Sequence, residues 1–549
     1  MTRNARGAKA VPTSSAKSKH KGKGGASTKR AAAHPGKSRR KGTLPFPEEV
    51  LLLVLPYLTW RDTYRVCGVS RTWQAAHEAS LKHASLVWTS YVFQGDSWDE
   101  ILDMLQPQEP VFATPLVPQM AWVVVSGQPH TFRRMSGWKK LLDVITGRHL
   151  LPATCQLVCA YSDAGMIGHL SGEGIPPAEL QEDMIGDGMA IGITVGHLPH
   201  TSVTLTIPEK DEIKAAVRDI QAATAPSACA GVGLPHDTSS AILLSTNFHQ
   251  SVNLVRSLHY LHPSLGSSVV GGLVSFTDRC VPLVYRHSSF DTSTRTWQSH
   301  LEPATNLIVG FSGRVRATPF VSLGFTVCSP ILQCAGSVED ESFELLRMYD
   351  AVHVVGPTST TSTQIVVDPL EVLRDLPSPH VLLHLYMAES VAALETFLAA
   401  PTSMLSGGVT RIEVMCDVDK GILLSHSTGD PSDHWPVGSY GVFCAQTVAA
   451  ARQDFLASLH HAQATVAAAD GVAVGALTFP CVARGFPFYE HPNVEADMFD
   501  TVFPNVPLTG VFVGGEIGPV AIPGGHCLAS APEVQQLTTC GALFYTMPL

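Results

Sequence analysis

The chain has 549 residues, of which 45% are apolar and 15% are charged, and this predicts about two to four domains with large buried cores. Residues 1–43 carry 13 lysines and arginines and no acidic residue, whereas residues 44–549 carry 24 basic and 47 acidic residues. The excess of acidic residues in 44–549 excludes broad nucleic-acid binding by that part of the chain. The 12 cysteines form no C-x-x-C pair and indicate neither a zinc site nor a disulfide scaffold.

Residues 1–43 are rich in Lys, Arg, Ser, Ala and Gly, and we expect a disordered basic tail because such a segment buries little apolar surface. The basic residues from Lys29 to Lys41 resemble a split nuclear-import signal, which predicts a protein of the cytoplasm and nucleus. A solvated tail that no receptor reads is one alternative. An organelle transit peptide is another, although the tail lacks an amphipathic face.

The apolar stretch VLLLVLPYL occupies residues 50–58. It is too short for a membrane span, which needs roughly 20 apolar residues. The long basic segment before it is unlike the short basic region of a secretory signal. We therefore expect a soluble protein.

Residues 44–90 are predicted to form three short helices. Pro47 suits a first helical position, and Pro56 lacks a backbone N–H and should end the first helix. A capping pattern at Thr59–Asp62 begins the second helix, and Ser70 begins the third, which runs to about Ala84. So small a unit usually needs a partner to complete its burial.

Residues 91–149 form a connecting region without an assignment. From about residue 150, short β-branched runs alternate with helical stretches, which indicates α/β layers. The predicted strands are Gln156–Ala160, Ala190–Val195, Ser202–Ile207, Ala241–Leu244, Val269–Val274, Phe320–Phe325, Ile365–Val367, Arg411–Val414, Gly441–Ala445, Val472–Phe479 and Gly510–Val513. The predicted helices are Asp211–Ala222, Val252–Leu261, Glu344–Tyr349, Val391–Ala400, Thr447–Ala462 and Val494–Phe503.

Residues 241–272 and 474–515 follow the same order of strand, helix, proline-containing turn, strand and Gly-Gly. This pattern predicts two lobes that share one supersecondary unit, at 150–335 and 336–549. A chance likeness between two βαβ segments is the alternative.

The densest group of polar and glycine residues follows two predicted strands between 479 and 519. Open α/β sheets commonly place ligands beyond strand ends, so we predict a ligand or substrate pocket there. Its residues are Cys481, Arg484, Gly485, Gly514, Gly515 and Glu516. An ion pair between Arg484 and Glu516 that braces two loops is the alternative, and a catalytic Cys481 is a third. Asn493 is expected to cap the helix that follows.

The sequence lacks the G-x-S-x-G, Walker A, G-x-G-x-x-G and H-E-x-x-H motifs. It therefore predicts no enzyme, no cofactor and no metal.

Residues 44–88 resemble an F-box. Leu44-Pro45, Val54-Leu55, Leu58, Asp62 and the run Val69-Ser70-Arg71-Thr72-Trp73 match the family pattern, while Pro56 stands where many members carry Ser. Residues from about 150 to 545 resemble a FIST domain (F-box and intracellular signal transduction). The segments that carry this likeness are 313–331, 440–459 and, most specifically, 479–518.

The resemblance implies an α+β or α/β architecture, in which a small all-α F-box of three helices precedes a large two-lobed α/β FIST domain. It also implies a substrate-recognition subunit of a Skp–cullin–F-box ubiquitin ligase, whose partners perform ubiquitin transfer. The expected adaptor-binding residues are Leu44, Pro45, Leu51, Leu55, Leu58 and Trp73, some of which must instead form the F-box core. A sensory module for an amino-acid-like ligand, with the F-box as scaffold, is the alternative function.

Overall fold

The computed structural model describes residues 50–51, 54–55, 58, 60–83, 87–105, 117–127, 129–147, 151–170, 176–181, 185, 188–222, 233–275, 281–294, 296–339, 346–354, 366–367, 369–373, 380–399, 408–417, 422–426, 434–520 and 532–547. The predicted tail, Leu44, Pro45 and Pro56 lie outside these residues.

Two helices belong to the predicted F-box, α1 (Trp60–Val69) and α2 (Arg71–His83). The predicted first helix is described only at Val50, Leu51 and Val54, which are helical. Helix α1 begins at Trp60, as the capping pattern predicts. Ser70 Oγ accepts hydrogen bonds from the backbone N–H groups of Thr72 and Trp73, so Ser70 caps α2, also as predicted.

The structure next contains β1 (Val87–Gly95), α3 (Trp98–Leu105), β2 (Met120–Ser126), α4 (Pro129–Phe132), α5 (Met135–Gly147), β3 (Gln156–Ser162), β4 (Gly165–His169), β5 (Pro177–Gln181), β6 (Met189–His197), β7 (Thr201–Thr206), α6 (Lys210–Gln221), β8 (Ser240–Ser245), α7 (Phe248–Leu261), β9 (Val269–Leu273), β10 (Leu283–Asp291), β11 (Thr296–Ala304), β12 (Asn306–Gly313) and β13 (Val315–Ser322).

The remaining elements are β14 (Phe325–Val327), β15 (Leu332–Glu339), β16 (Leu346–Val354), β17 (Val366–Val367), α8 (Pro369–Val372), β18 (His380–Ala388), α9 (Val391–Ala399), β19 (Thr410–Asp417), β20 (Ile422–His426), β21 (Tyr440–Gln446), α10 (Val448–Ala468), β22 (Val472–Pro480), α11 (Phe486–Tyr489), α12 (Val494–Val502), β23 (Leu508–Val511), β24 (Glu516–Pro519), β25 (Pro532–Gln535) and β26 (Thr539–Thr546).

The strands form four sheets. The first has the order β1-β6-β2-β3-β10-β11, the second β25-β24-β9-β8-β12-β7, and the third β13-β26-β22-β23-β4-β5. The fourth follows β14-β21-β15-β16-β20-β19-β18, and β18 pairs again with β21, which closes a ring. The second and third sheets mix strands from both predicted lobes, and the predicted lobe boundary at 335/336 falls within β15.

Layers of helix and sheet follow from the alternation of side chains along each strand. On β2, Trp122 and Val124 join a core shared with the second and third sheets. Ala121, Val123 and Val125 point the other way, into a core with α3 and α5. Helices α10 and α12 cover the outer face of the third sheet, and α6 and α7 cover that of the second.

The two similar segments are both parallel βαβ units. Strands β8 and β9 pair in parallel around α7, and β22 and β23 pair in parallel around α12. The shared supersecondary unit is therefore confirmed. The unassigned region supplies most of a third such unit, because β2 and β3 also pair in parallel and α5 lies between them in sequence.

One predicted helix is wrong. Residues 346–349 of the segment Glu344–Tyr349 form the start of β16, which pairs with β15 on one side and β20 on the other. Cross-strand pairing overrides the helix propensity of Leu, Arg and Met in this segment. Within the described residues, no helix combines the length and apolar character that crossing a membrane requires.

Candidate functional site

The F-box segment has a small core of its own. Leu51 and Leu55 are each 2% exposed and pack with Ala76, which is fully buried, while Leu58 and Trp73 are partly buried against them. Of the six predicted adaptor-binding residues, Leu51 and Leu55 thus lie in the core of the segment, and Leu44 and Pro45 lie outside the described residues.

Three apolar side chains of the segment are not fully buried. Val54 is helical and 38% exposed, and it stands among the exposed large apolar side chains of the described chain. Leu58 and Trp73 are half-buried. The residues best placed to meet a partner are therefore Val54, Leu58 and Trp73, and Val54 is one that the sequence analysis did not select.

Arg484 lies at the centre of a second site, which we call the Arg484 cluster: Arg484, Ser322, Tyr489, Glu495 and Thr539. Nη2 of Arg484 lies 3.0 Å from Oε1 of Glu495 and donates to the Tyr489 hydroxyl at 2.9 Å. Nη1 donates to the Ser322 carbonyl at 2.7 Å. The Arg484 side chain has no exposed surface. Both carboxylate oxygens of Glu495 also accept from Thr539 Oγ1.

The surroundings of Arg484 and Tyr489 determine their protonation states. Burial alone lowers the pKa of Arg484, but Tyr489 and Glu495 outweigh that effect, and the net pKa is raised. Burial raises the pKa of the Tyr489 phenol, which donates to Glu495 Oε1 at 2.8 Å. The arginine therefore stays charged and the tyrosine stays protonated at neutral pH.

A carboxyl group from β5 caps α12. Oε1 of Glu179 accepts from the backbone N–H groups of Glu495 at 2.8 Å and Ala496 at 3.1 Å. Asn493, the residue expected to cap this helix, adopts a φ of 61° and makes no side-chain capping bond. Its Oδ1 instead accepts from the backbone N–H of Glu179 at 2.8 Å. The two residues thus tie β5 to α12.

Close packing against β5 explains why residue 485 is a glycine. A Cβ at this position would overlap the side chain of Gln181. The Gln181 carbonyl oxygen in turn accepts the backbone N–H of Phe486. A larger residue at position 485 would have to displace the Gln181 amide from this hydrogen bond.

Gly514 and Gly515 connect the third and second sheets. The N–H of Gly514 donates to the Leu273 carbonyl at 2.9 Å, and the N–H of Leu273 donates to the Gly515 carbonyl at 2.8 Å. Neither glycine adopts a positive φ. The small side chain matters here because a Cβ on Gly515 would lie 3.1 Å from Cδ1 of Leu273.

Cys481 and Glu516 are neighbours in the interior. Glu516 is fully buried, and its Oε2 accepts from the N–H and hydroxyl of Thr538 at 3.1 and 2.8 Å. Burial, followed by the charge of Glu516, raises the pKa of the Cys481 thiol. The thiol therefore stays protonated at neutral pH and is not activated as a nucleophile.

Of the six predicted pocket residues, Cys481 and Glu516 are neighbours, and the side chains of Cys481, Arg484 and Glu516 are buried. Arg484 forms its ion pair with Glu495 from the following helix. Sequence reasoning missed Glu179, Gln181 and Thr539, which are distant along the chain and carry no motif. No group of three or more His, Cys, Asp or Glu side chains in the described ranges is placed to hold a metal ion.

Comparison with known proteins gives a short match. A stretch of 41 residues is 58% identical to F-box only protein 22 of Homo sapiens and to its counterpart of Pongo abelii. The match covers 7% of this chain and 10% of each relative, so it spans about a tenth of the curated relatives. It indicates an F-box protein. No protein-family model matches the chain, and the resemblance to a FIST domain remains a prediction.

Proposed function

We propose that this chain is the substrate-recognition subunit of a Skp–cullin–F-box ubiquitin ligase. The F-box docks on a Skp-type adaptor that joins it to the cullin, and the mixed α/β body, which we propose is a FIST domain, holds the protein target. The chain itself is not catalytic, and ubiquitin transfer is performed by partner subunits. The short match to F-box only protein 22 supports the assignment.

The observation that carries the proposal is that Val54 is exposed, and that Leu58 and Trp73 are only half-buried, in the F-box segment. Leu51, Leu55 and Ala76 already fill that core, so Val54 is not needed to complete it. Exposed Val54 and the half-buried side chains of Leu58 and Trp73 in the same segment offer apolar area of the kind that protein partners bury. The protonated thiol of Cys481 favours a receptor over a thiol enzyme.

Co-purification of the full chain with a Skp-type adaptor tests the proposal. Val54→Asp and Leu58→Asp should each weaken adaptor binding by about tenfold or more, because each places a charge in a desolvated interface. Val472→Asp is the matched control, since Val472 is 66% exposed on β22 of the body. Absence of adaptor binding by the unaltered chain contradicts the proposal, as does equal binding by all three variants.

The basic tail leads to a proposed location in cytoplasm and nucleus. Replacing Lys37, Arg39, Arg40 and Lys41 by Ala should shift a fluorescent fusion of the full chain toward the cytoplasm. Replacing Lys17, Lys19, Lys21 and Lys23 instead provides the control of equal charge change. An unchanged nuclear fraction in the first variant contradicts the import signal.

A further inference from the structure

A cavity of about 940 Å³ lies in a part of the molecule that the sites above do not use. Its walls are α5, residues 151–157 and the hairpin of β10 and β11. Strand β10 pairs with β3 only at Val284 and Tyr285, so beyond that point its partner within the described residues is β11. The outer part of this hairpin and α5 enclose the cavity, well away from the Arg484 cluster in sequence and in sheet position.

Arg286 lines this cavity and is 6% exposed. Its Nη2 donates to the carbonyls of Pro152 at 2.5 Å and Cys155 at 2.6 Å. Its Nε is buried and has no hydrogen-bond partner in the described part of the chain. No described carboxylate lies within ion-pair distance of it, and burial lowers the pKa of the guanidinium. A buried charge held only by carbonyl dipoles is costly unless an anion joins it.

The nearby acidic groups do not neutralise Arg286. Glu302 lies on the opposite face of the hairpin, where its carboxylate contacts His300 at 2.6 Å and the Tyr285 hydroxyl. Asp143 and Lys139 both line the exposed rim, and their charges offset each other. Among the described lining residues, the buried charge is therefore that of Arg286, and His300, which also lines the cavity, is the residue that the Glu302 carboxylate contacts.

The remaining walls are mainly apolar. Leu142 and Leu157 are buried, and Leu301 is half-buried opposite Arg286 in the hairpin register. Trp297 at the cavity is 46% exposed and packs against Phe290 with the ring centroids 5.5 Å apart. An exposed indole at the edge of an apolar cavity is a surface that a ligand would cover.

We propose that this cavity binds a small amphipathic anion, a carboxylate with an apolar body. The carboxylate accepts the Nε–H of Arg286, and the apolar body packs on Leu142, Leu157 and Leu301. The volume is that of a small-molecule site, in the range of about 300–1,000 Å³. One buried guanidinium matches one carboxylate, whereas a nucleotide or polyphosphate would need more cations. The site does not depend on the adaptor-binding proposal.

Calorimetric titration of the full chain with octanoate tests the site, with 1-octanol as the uncharged ligand of equal chain length. Arg286→Met removes the charge and keeps most of the side-chain volume. Ser299→Glu adds a carboxylate at an exposed residue of the cavity wall. Ser289→Glu makes the same change at an exposed residue on the opposite face of the same hairpin, paired with Gln298.

Octanoate should bind the unaltered chain more tightly than 1-octanol. Arg286→Met and Ser299→Glu should each weaken octanoate by about tenfold or more, the scale of one hydrogen bond to a charged group, while Ser289→Glu leaves it unchanged. Absence of octanoate binding overturns the proposal, as does equal binding of the two ligands or equal affinity in the Ser299→Glu and Ser289→Glu chains. If Arg286→Met does not fold, the comparison of octanoate affinity between Ser299→Glu and Ser289→Glu still tests the proposal.

Discussion

Two buried arginines in this molecule differ in their described partners: Arg484 pairs with a carboxylate, and Arg286 contacts backbone carbonyls. Arg484 is fully enclosed, and Glu495, Tyr489 and Ser322 provide its partners. Arg286 is almost as buried, but two backbone carbonyls are its described partners and a large cavity lies beside it. Burial alone therefore does not mark a binding site. What differs is whether the described chain supplies the counter-charge. Glu495 pairs with Arg484, whereas no described carboxylate pairs with Arg286, although the Nε of each guanidinium is buried without a described hydrogen-bond partner.

The largest expected effect comes from removing the charge of Arg484 from the Arg484 cluster. Arg484→Met should lower the free energy of unfolding by about 3–5 kcal/mol, because Glu495 stays buried without its cation. Urea denaturation measures this. Arg452→Met, at an exposed position of α10, should change it by less than about 0.5 kcal/mol. A loss for Arg484→Met as small as that of the control would mean that the ion pair is not structural.

The next effect tests how tightly the Arg484 region is packed. Gly485→Ala should cost about 1–3 kcal/mol, since the new methyl group overlaps Gln181, which is held by the Phe486 N–H. Gly515→Ala should cost less, because its tightest contact would be 3.1 Å to Cδ1 at the end of the Leu273 side chain, and Cγ1 of Val534 would lie at 3.4 Å. Thermal unfolding of both variants checks this order. A larger decrease in Tm for Gly515→Ala than for Gly485→Ala would contradict it.

Glu179 gives a pH test of the same region. Burial, followed by the charge of Glu495, raises the pKa of Glu179 to about 8 from an ordinary value of 4.5. Between these values the folded protein keeps a proton that the unfolded chain has released, so the contribution of Glu179 to stability falls as the pH rises through this window. The Tm of Glu179→Gln relative to the unaltered chain should therefore increase from pH 5 to pH 8, by about 2 °C or more.

The exposed carboxylate of Glu490 supplies the control for that experiment. The Tm of Glu490→Gln relative to the unaltered chain should stay constant over the same pH range. A constant difference for Glu179→Gln as well would show that this carboxyl does not hold the extra proton.

The smallest effect on stability is expected at Arg286, beside the cavity. Without ligand, Arg286→Met should change the free energy of unfolding by about 1 kcal/mol or less, because the loss of two hydrogen bonds to carbonyls is offset by relief of an uncompensated buried charge. The same urea series measures it. A loss as large as that of Arg484→Met would remove the contrast between the two arginines and assign both to structure.

Much of the fold could be predicted from local patterns. The buried strand Ser240–Ser245 has an unbroken apolar centre, Ala241–Leu244. The apolar face of α12 is visible in the spacing of Val494, Met498 and Phe499. No element is predicted in the region 91–149, although Met120–Ser126 is an apolar run of the same kind and forms a fully buried strand. The segment Glu344–Tyr349 was wrong because two neighbouring strands, far apart along the chain, determine its conformation.

The candidate site was less predictable. The sequence placed Arg484 and the first-turn Glu495 in one short segment, but it favoured Glu516 as the acid facing Arg484. The structure places Glu495 there because α12 packs its first turn against β5 and the start of β26. The cap of α12 could not be foreseen at all, since Glu179 lies more than 300 residues away along the chain.

The sequence by itself determined the division into a basic tail, a short helical segment and an α/β body, because charge, helix capping and strand periodicity are local properties. It also determined the two similar βαβ units, whose strands and helices are short-range patterns. Only the tertiary structure decided which apolar residues of the F-box are core and which are surface. It alone decided that Arg484 has an acidic partner and that Arg286 has none among the described residues, because partners are chosen by packing between segments that are remote in the chain.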